Sequence, residues 1–253
     1  MTAISDSIDV LIGLDDTDNL ESCGTGFHAR TIASELKARG LASPAHITRH
    51  QLLMSPLVPY TSHNSAACVR VSAEAGNIPS ILDYCRDYLV ANSAEGSDAG
   101  LCVAAENVIT SEIQRFGFLC KRRRVYQQDA RRVAEAYGLP LLGLTGTHDG
   151  IIGALSAVGL HASGSDGRLL WLKGVREMTD QVVDLGELFA STGLDIVQSV
   201  EGEVLTDSAL KIAMSSWPRA VWMNGEAVLI VEKGEEHDGA DWRVASKQYL
   251  KQF

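Results

Sequence analysis

Short apolar runs alternate with segments of helical periodicity through the first 160 residues of the chain. Residues 8–14 are almost continuously apolar, a pattern that predicts a buried strand. Apolar side chains at helical spacing follow from Phe27 to Leu36, and Gly40 can end that helix. The same patterns predict strands at 46–53, 66–73, 101–105 and 139–144 and helices at 78–91, 107–116, 127–137 and 151–158.

The pattern near the C-terminus predicts a β-hairpin. Segments 219–223 and 226–232 flank Asn224-Gly225, a pair that tolerates the positive φ angles of a type I′ turn. This hairpin, together with the neighbouring strands at 46–53 and 66–73, argues against a purely parallel sheet. We therefore expect a mixed α/β (α+β) fold of two packed subdomains with a boundary near the middle of the chain.

Composition narrows the class of protein. The 253 residues are 45% hydrophobic and 21% charged, as in a globular protein, which excludes disordered and fibrous classes. No apolar run approaches the ~20 residues that a transmembrane helix needs, and residues 1–9 carry acids where a secretion signal would be basic. We expect a cytoplasmic protein that does not bind membranes. The five cysteines are widely spaced without a CxxC pair, which predicts free thiols.

The charge of the chain is unevenly distributed. Its formal net charge of −10 opposes a general attraction to nucleic acid. Residues 115–132, however, carry seven Lys and Arg against the single acid Asp129. This basic segment is the one candidate for a phosphate-backbone contact, and we expect its binding to tRNA to be weak. The alternative is a solvated helix face that balances acidic neighbours.

Three carboxylates, Asp15, Asp16 and Asp18, follow directly after the first predicted strand. Like charges this close repel unless a cation compensates them. Mg²⁺ prefers one or two carboxylates together with phosphate oxygens, so the cluster suits a metal–nucleotide complex such as Mg-ATP. An acidic turn that caps the following backbone is the alternative.

Two glycine-containing turns are candidates for phosphate binding. Cys23-Gly24-Thr25-Gly26 precedes a predicted helix, where backbone N–H groups and the helix dipole favour an anion. Thr25 would then lie beside the metal, although a plain N-cap would also account for it. The second turn, Gly146 to Gly150, lacks the spacing of a P-loop and contributes His148 and Asp149. The polar loop 59–65 is a third candidate, for hydrogen bonds to a nucleotide or to itself.

Several of these motifs resemble, in the same order, those of the archaeal tRNA-isoleucine agmatinylcytidine synthetase (TiaS) family. The matching pieces are 12–18, the turn that contains Thr25, 54–60 with Asn64 and Ala66, 99–100, and 150–155 with Ala157. The resemblance implies a kinase-like part, assigned to 1–125, and a ferredoxin-like part, assigned to 126–253. It does not extend to the OB-fold and zinc ribbon of that family, and Asp149 stands where the family tends to carry a basic residue.

The resemblance also implies site residues and chemistry. Asp15, Asp16 and Asp18 would hold Mg²⁺ and handle phosphate, and Thr25 would accept a phosphoryl group from ATP. The residues implied in binding ATP are Gly24, Gly26, Asn64, Gly150 and Gly153.

Three functions remain open from the sequence. We expect a Mg²⁺- and ATP-dependent phosphotransferase or ATP-activating enzyme that acts on a small or nucleoside-type acceptor. The first alternative is tRNA cytidine modification with a partner chain. The second is a non-catalytic protein that binds nucleotides or RNA.

Overall fold

The computed structural model describes residues 7–58, 63–235 and 239–253. The chain divides into two compact units, Met1–Ser163 and Gly164–Phe253. The expected boundary at 125/126 therefore falls inside the first unit. The mixed α/β class is confirmed, because both units combine helices with sheet strands.

The first unit contains five strands and five α-helices in its described residues. The strands are β1 (Ser7–Asp15), β2 (Ser43–Gln51), β3 (Ser65–Glu74), β4 (Gly100–Ala105) and β5 (Leu141–Gly143). The helices are α1 (Thr25–Ala38), α2 (Ile78–Asn92), α3 (Ser111–Cys120), α4 (Gln127–Ala136) and α5 (Gly150–Ala162).

The five strands form an antiparallel sheet in the order β5-β4-β1-β3-β2. Strands β1 to β4, with α1 between β1 and β2 and α2 between β3 and β4, make the βαββαβ arrangement of ferredoxin-like folds. This arrangement lies within residues 7–105, whereas the sequence assigned ferredoxin-like character to 126–253. The pairing of distant strands defines it, and local periodicity does not encode that pairing. The kinase-like assignment of 1–125 stays a prediction.

Strand β1 lies at the centre of this sheet and is covered on both faces. Val10 to Leu14 are all buried, as expected for a strand that reads as one apolar run. Leu11 belongs to a core formed with β3, β4, α3 and α5. The adjacent Gly13 lies so close to the Ala154 carbonyl that a Cβ there would overlap it. Helix α5 can approach the sheet at backbone distance because its sequence is rich in small residues.

The second unit is a mixed sheet around its own core. Its strands are β6 (Arg168–Leu172), β7 (Val182–Asp184), β8 (Ile196–Ser199), β9 (Lys211–Ala213), β10 (Val221–Met223), β11 (Glu226–Lys233) and β12 (Trp242–Val244), and α6 spans Leu185–Ser191. The order is β6-β10-β11-β12-β9-β7, and β8 pairs in parallel with β11. The hairpin β10–β11 is confirmed, with Asn224 at φ 55° and Gly225 at φ 78° as in a type I′ turn.

Most predicted elements of the first unit are confirmed with shifted ends. The predicted helix 107–116 was wrong at its start: Glu106–Val108 form a 3₁₀ turn, and α3 begins only at Ser111. Helix α5 runs four residues beyond the predicted end at 158. All five cysteines are free, and only Cys23 among them is exposed. Among the described residues, no helix has both the length and the apolar character to cross a bilayer.

Candidate active site

A cleft of about 1010 Å³ opens in the first unit, where β1 ends and β4 begins, between the loop that follows β1 and the loop that precedes β4. It brings together Asp15, Asp16, Asp18, Thr25, Asn64 and Gly153 of the predicted site. Gly24, Gly26 and Gly150 do not line the cleft in the described structure. The separate sequence motifs therefore converge on one place.

Asp15, the last residue of β1, lies at the base of the cleft with its carboxyl group against α5. A Cβ on Gly153 would overlap this carboxyl group, so glycine is needed at that position of the helix. Burial raises the pKa of Asp15 to about 8, and the neighbouring Asp16 adds to the effect. Asp15 is consequently protonated over most of the neutral range while no cation is present.

Asp16 lies at the centre of a cluster of carboxylates that come from distant parts of the sequence. Burial raises its pKa to about 6, with further contributions from the charges of Asp98, Asp18 and Asp149. Its backbone is in the left-handed region at φ 52°, an uncommon conformation that Asp tolerates better than most residues. Asp98 was missed from the sequence, because a lone Asp before a strand carries no motif.

Thr25 is the first residue of α1, and its hydroxyl group joins two elements of the cleft. The Thr17 hydroxyl donates a hydrogen bond to Thr25 Oγ1 at 2.9 Å, and Thr25 Oγ1 donates to Asp18 Oδ1, also at 2.9 Å. The N-cap is Gly24, and no side chain caps the helix. The alternative that Thr25 is a plain N-cap is therefore wrong.

The N-terminus of α1 carries no acidic side chain in its first turn. Backbone N–H groups at such a position favour an anion, which is the environment expected for phosphate. Gly24 lies next to Asp18: a Cβ there would be 3.8 Å from Asp18 Oδ2. Gly24 therefore lies beside Asp18, and Thr25 is the residue of this turn that lines the cleft.

The second glycine-containing turn is held against the loop before β4. Gly150 N–H donates to the Asp98 carbonyl at 2.9 Å, and the Thr145 hydroxyl donates to the Ser97 carbonyl at 2.7 Å. The Gln127 side-chain amide donates to Asp149 Oδ1 at 2.7 Å. Asp149 lines the cleft, whereas His148 does not. The turn therefore contributes a further carboxylate to the cleft.

Another wall of the cleft comes from the basic segment between α3 and α4. Arg123, Arg124 and Tyr126 line it, and the Arg124 guanidinium lies 5.1 Å from the centre of the Tyr126 ring. Tyr126 is 53% exposed. The cleft is thus acidic around Asp16 and basic along this wall, an asymmetry that a run of arginines in the sequence does not reveal.

The loop that follows β2 supplies Asn64. Its side-chain amide donates to the Leu53 carbonyl at 2.7 Å. This hydrogen bond joins two residues of the same connection between β2 and β3. His63 and Asn64 line the cleft. Residues 59–62 of this candidate loop lie outside the described residues.

The carboxylates do not form a complete protein cage for a metal ion. In the described part of the chain, no three His, Cys, Asp or Glu side chains converge as metal ligands. Mg²⁺ needs only one or two carboxylates when phosphate oxygens complete its shell, and Asp16 with its acidic neighbours suits that smaller role.

Two features define the class of this protein: an antiparallel ferredoxin-like sheet and a cleft with one acidic and one basic side. No family model matches the sequence of this chain, and no curated protein matches it. The fold is similar to solved structures that cover 60% of this chain: the complex of TiaS with an isoleucine tRNA and ATP, with a TM-score of 0.53 and 22% identity. Apo TiaS, named as a tRNA agmatidine synthetase, has a TM-score of 0.52 and 21% identity over the same share. A tRNA fluorescent labeling enzyme has a TM-score of 0.52 and 22% identity.

The chain spans 35% to 36% of the length of these three structures. The resemblance to the catalytic portion of TiaS is confirmed at the level of the fold. The structural likeness at this level of identity shows a shared fold alone, and function depends on the site.

Proposed function

We propose that this chain is an ATP-using enzyme that modifies tRNA. The observation that carries the proposal is the cleft, which is lined by Asp16, Asp18 and Thr25 and also by Arg123 and Arg124 of the basic wall. Arginines of this kind bind the phosphates of a nucleic-acid backbone. The similar structures include a complex with tRNA and ATP, which favours the tRNA alternative over the small acceptor that we expected from the sequence.

In this proposal the acidic side of the cleft receives the triphosphate of ATP as its Mg²⁺ complex. Asp16 and Asp18 would hold the ion, which neutralises phosphate charge when bound. The N-terminus of α1 adds backbone N–H groups and the positive end of its dipole. Positioning and neutralisation of charge supply most of the rate in phosphoryl transfer.

Thr25 is the proposed acceptor of the phosphoryl group. Its oxygen would attack the γ-phosphorus, the bond from that phosphorus to the bridging oxygen would break, and ADP would leave. Asp18 accepts the hydroxyl hydrogen bond at 2.9 Å, so its carboxylate is placed to take the proton. The Thr17 hydroxyl bond to the same oxygen fixes its position.

The acceptor is tested by measuring ATP consumption with purified protein and three additions: tRNA transcript, cytidine, or neither. We expect consumption to rise with tRNA and not with cytidine, and Asp16→Asn to remove that rise. A rise with cytidine alone would restore the small acceptor. No rise under any condition, with ATP still bound in calorimetry, would favour the non-catalytic protein.

Thr25 is tested with ATP labelled at the γ-phosphate. Wild-type protein should become labelled, Thr25→Ser should keep part of the label, and Thr25→Ala should lose it. Thr31→Ala is the matched control, because Thr31 lies in the same helix and its hydroxyl donates to the Phe27 carbonyl, its one hydrogen bond within the described residues. Equal labelling of Thr25→Ala and Thr31→Ala would remove the phosphorylated intermediate from the proposal.

A further inference from the structure

An exposed tryptophan in the second unit lies against two arginines. Trp217, in the loop between β9 and β10, is 46% exposed. The Arg219 guanidinium lies 4.7 Å from the centre of its ring, and that of Arg176 lies 5.3 Å away. We call these three residues the arginine–tryptophan platform.

The arginine–tryptophan platform borders a pocket of about 270 Å³. Strand β6 forms one side of the pocket through Leu169 to Leu172, and Trp171 and Pro218 also line it. Within the described structure the lining holds two arginines and no carboxylate. Residues 164–253 as a whole carry nine Lys and Arg against 15 Asp and Glu, so this pocket is positive in an acidic part of the chain.

The geometry of the platform is fixed by the fold. Arg176 lies in the 3₁₀ turn that follows β6, and its guanidinium donates to the Leu170 carbonyl at 3.0 Å. The backbone N–H of Trp217 donates to the Ser215 hydroxyl at 3.3 Å and so holds the loop. Arg176 and the loop that carries Trp217 are therefore positioned before any ligand arrives, which lowers the entropic cost of binding.

We propose that the arginine–tryptophan platform binds the bases and phosphates of single-stranded RNA. Bases stack on indole rings and on guanidinium planes, and guanidinium N–H groups donate to phosphate oxygens. A base can stack only on a cation–aromatic pair whose ring is exposed, as that of Trp217 is. The second such pair in this unit illustrates the difference, because Lys233 lies 3.7 Å over the ring of Trp242, which is only 3% exposed.

This inference is independent of the cleft and of ATP. Binding of an RNA strand to the second unit adds to the affinity of the chain for RNA and requires no turnover of ATP. Loss of the platform should therefore weaken RNA binding and leave ATP binding to the first unit unchanged. That separation distinguishes failure of this inference from failure of the proposed function.

The experiment measures the anisotropy of a labelled eight-residue oligouridylate bound to the full chain. Stacking of one base corresponds to roughly five-fold or more in affinity, and Trp217→Ala should lose at least that much. Arg176→Gln with Arg219→Gln should also lower the salt dependence of binding by about 0.7 for each phosphate that is no longer bound. Arg219→Lys keeps the charge and should lose affinity with little change in that slope.

Lys233→Gln is the matched control for charge, since it removes a cation from a buried ring, and we expect wild-type affinity. Trp217→Phe keeps an aromatic ring and serves if Trp217→Ala does not fold, as judged by thermal unfolding. Wild-type protein that does not bind the oligonucleotide would overturn the proposal. So would equal affinities for the platform variants and Lys233→Gln, or displacement by UMP as effective as by the unlabelled strand.

Discussion

The folded protein keeps the Asp15 carboxyl protonated at pH values at which the unfolded chain has lost that proton. The stability of the protein should therefore depend on pH. Its pKa rises from 3.8 to about 8 in the folded state, because the carboxyl is buried beside Asp16. The folded state therefore holds a proton that the unfolded state releases above its lower pKa. The stabilisation is complete below about pH 4 and is lost as the pH rises towards 8. Asp16, with a pKa of about 6, acts in the same direction over a narrower range.

We predict that the melting temperature of the ligand-free protein falls between pH 4 and pH 8 and that Asp15→Asn flattens this fall. The amide resembles the protonated acid. The free energy of unfolding of the variant should therefore equal that of wild type near pH 4 and exceed it by a few kcal/mol at pH 8. Asp87→Asn, at a side chain that is 71% exposed, is the control. Thermal unfolding across this pH range checks the prediction, and parallel curves for Asp15→Asn and wild type would contradict it.

Helix α5 positions the cleft because glycines let it lie against the ends of β1 and β4. At Gly13 a Cβ would overlap the Ala154 carbonyl and lie 2.9 Å from Val158 Cγ2. We predict that Gly13→Ala destabilises the protein by about 1–3 kcal/mol, because neither backbone can move aside cheaply. Its control is Gly76→Ala, where a Cβ would meet nothing within 4 Å. Denaturant midpoints measure both, and a similar small effect for the two would refute the close contact.

The same elements show what the sequence can predict. Residues 8–14 and 151–158 were identified because a buried strand and a small-residue helix have strong local patterns. The three-residue strands β7, β9 and β12 were missed, since three residues carry no periodicity. The sheet order and the boundary at Ser163 depend on contacts between distant segments.

The candidate site divides in the same way. Asp15, Asp16 and Asp18 share one short motif, Thr25 follows in the next turn of the chain, and the structure brings all four to one cleft. Asp98 joins them only through the pairing of β4 with β1, and Arg123 through the packing of α3 against α5. A basic run does not show which of its arginines face a cleft and which face solvent.

For the whole molecule, a net charge of −10 sets the condition under which tRNA can bind. The surface repels a polyanion at long range, so attraction must come from local clusters such as the basic wall of the cleft. Salt screens both the long-range repulsion and the local attraction, but only direct phosphate contacts release condensed counterions on binding. The slope of affinity against salt therefore counts the arginines that touch the nucleic acid.

We predict that tRNA affinity falls with salt and that Arg123→Gln with Arg124→Gln lowers the slope by about 0.7–0.9 for each phosphate that the variant no longer binds. Arg131→Gln with Arg132→Gln removes the same charge from the same basic segment, but these residues do not line the cleft among the described residues. Filter binding at several salt concentrations measures the slopes. If the segment acts only through its total charge, the two double variants will have equal slopes, and the cleft wall loses its role. If the cleft wall holds the acceptor, only the first pair will lower the slope and, with it, the tRNA-dependent consumption of ATP.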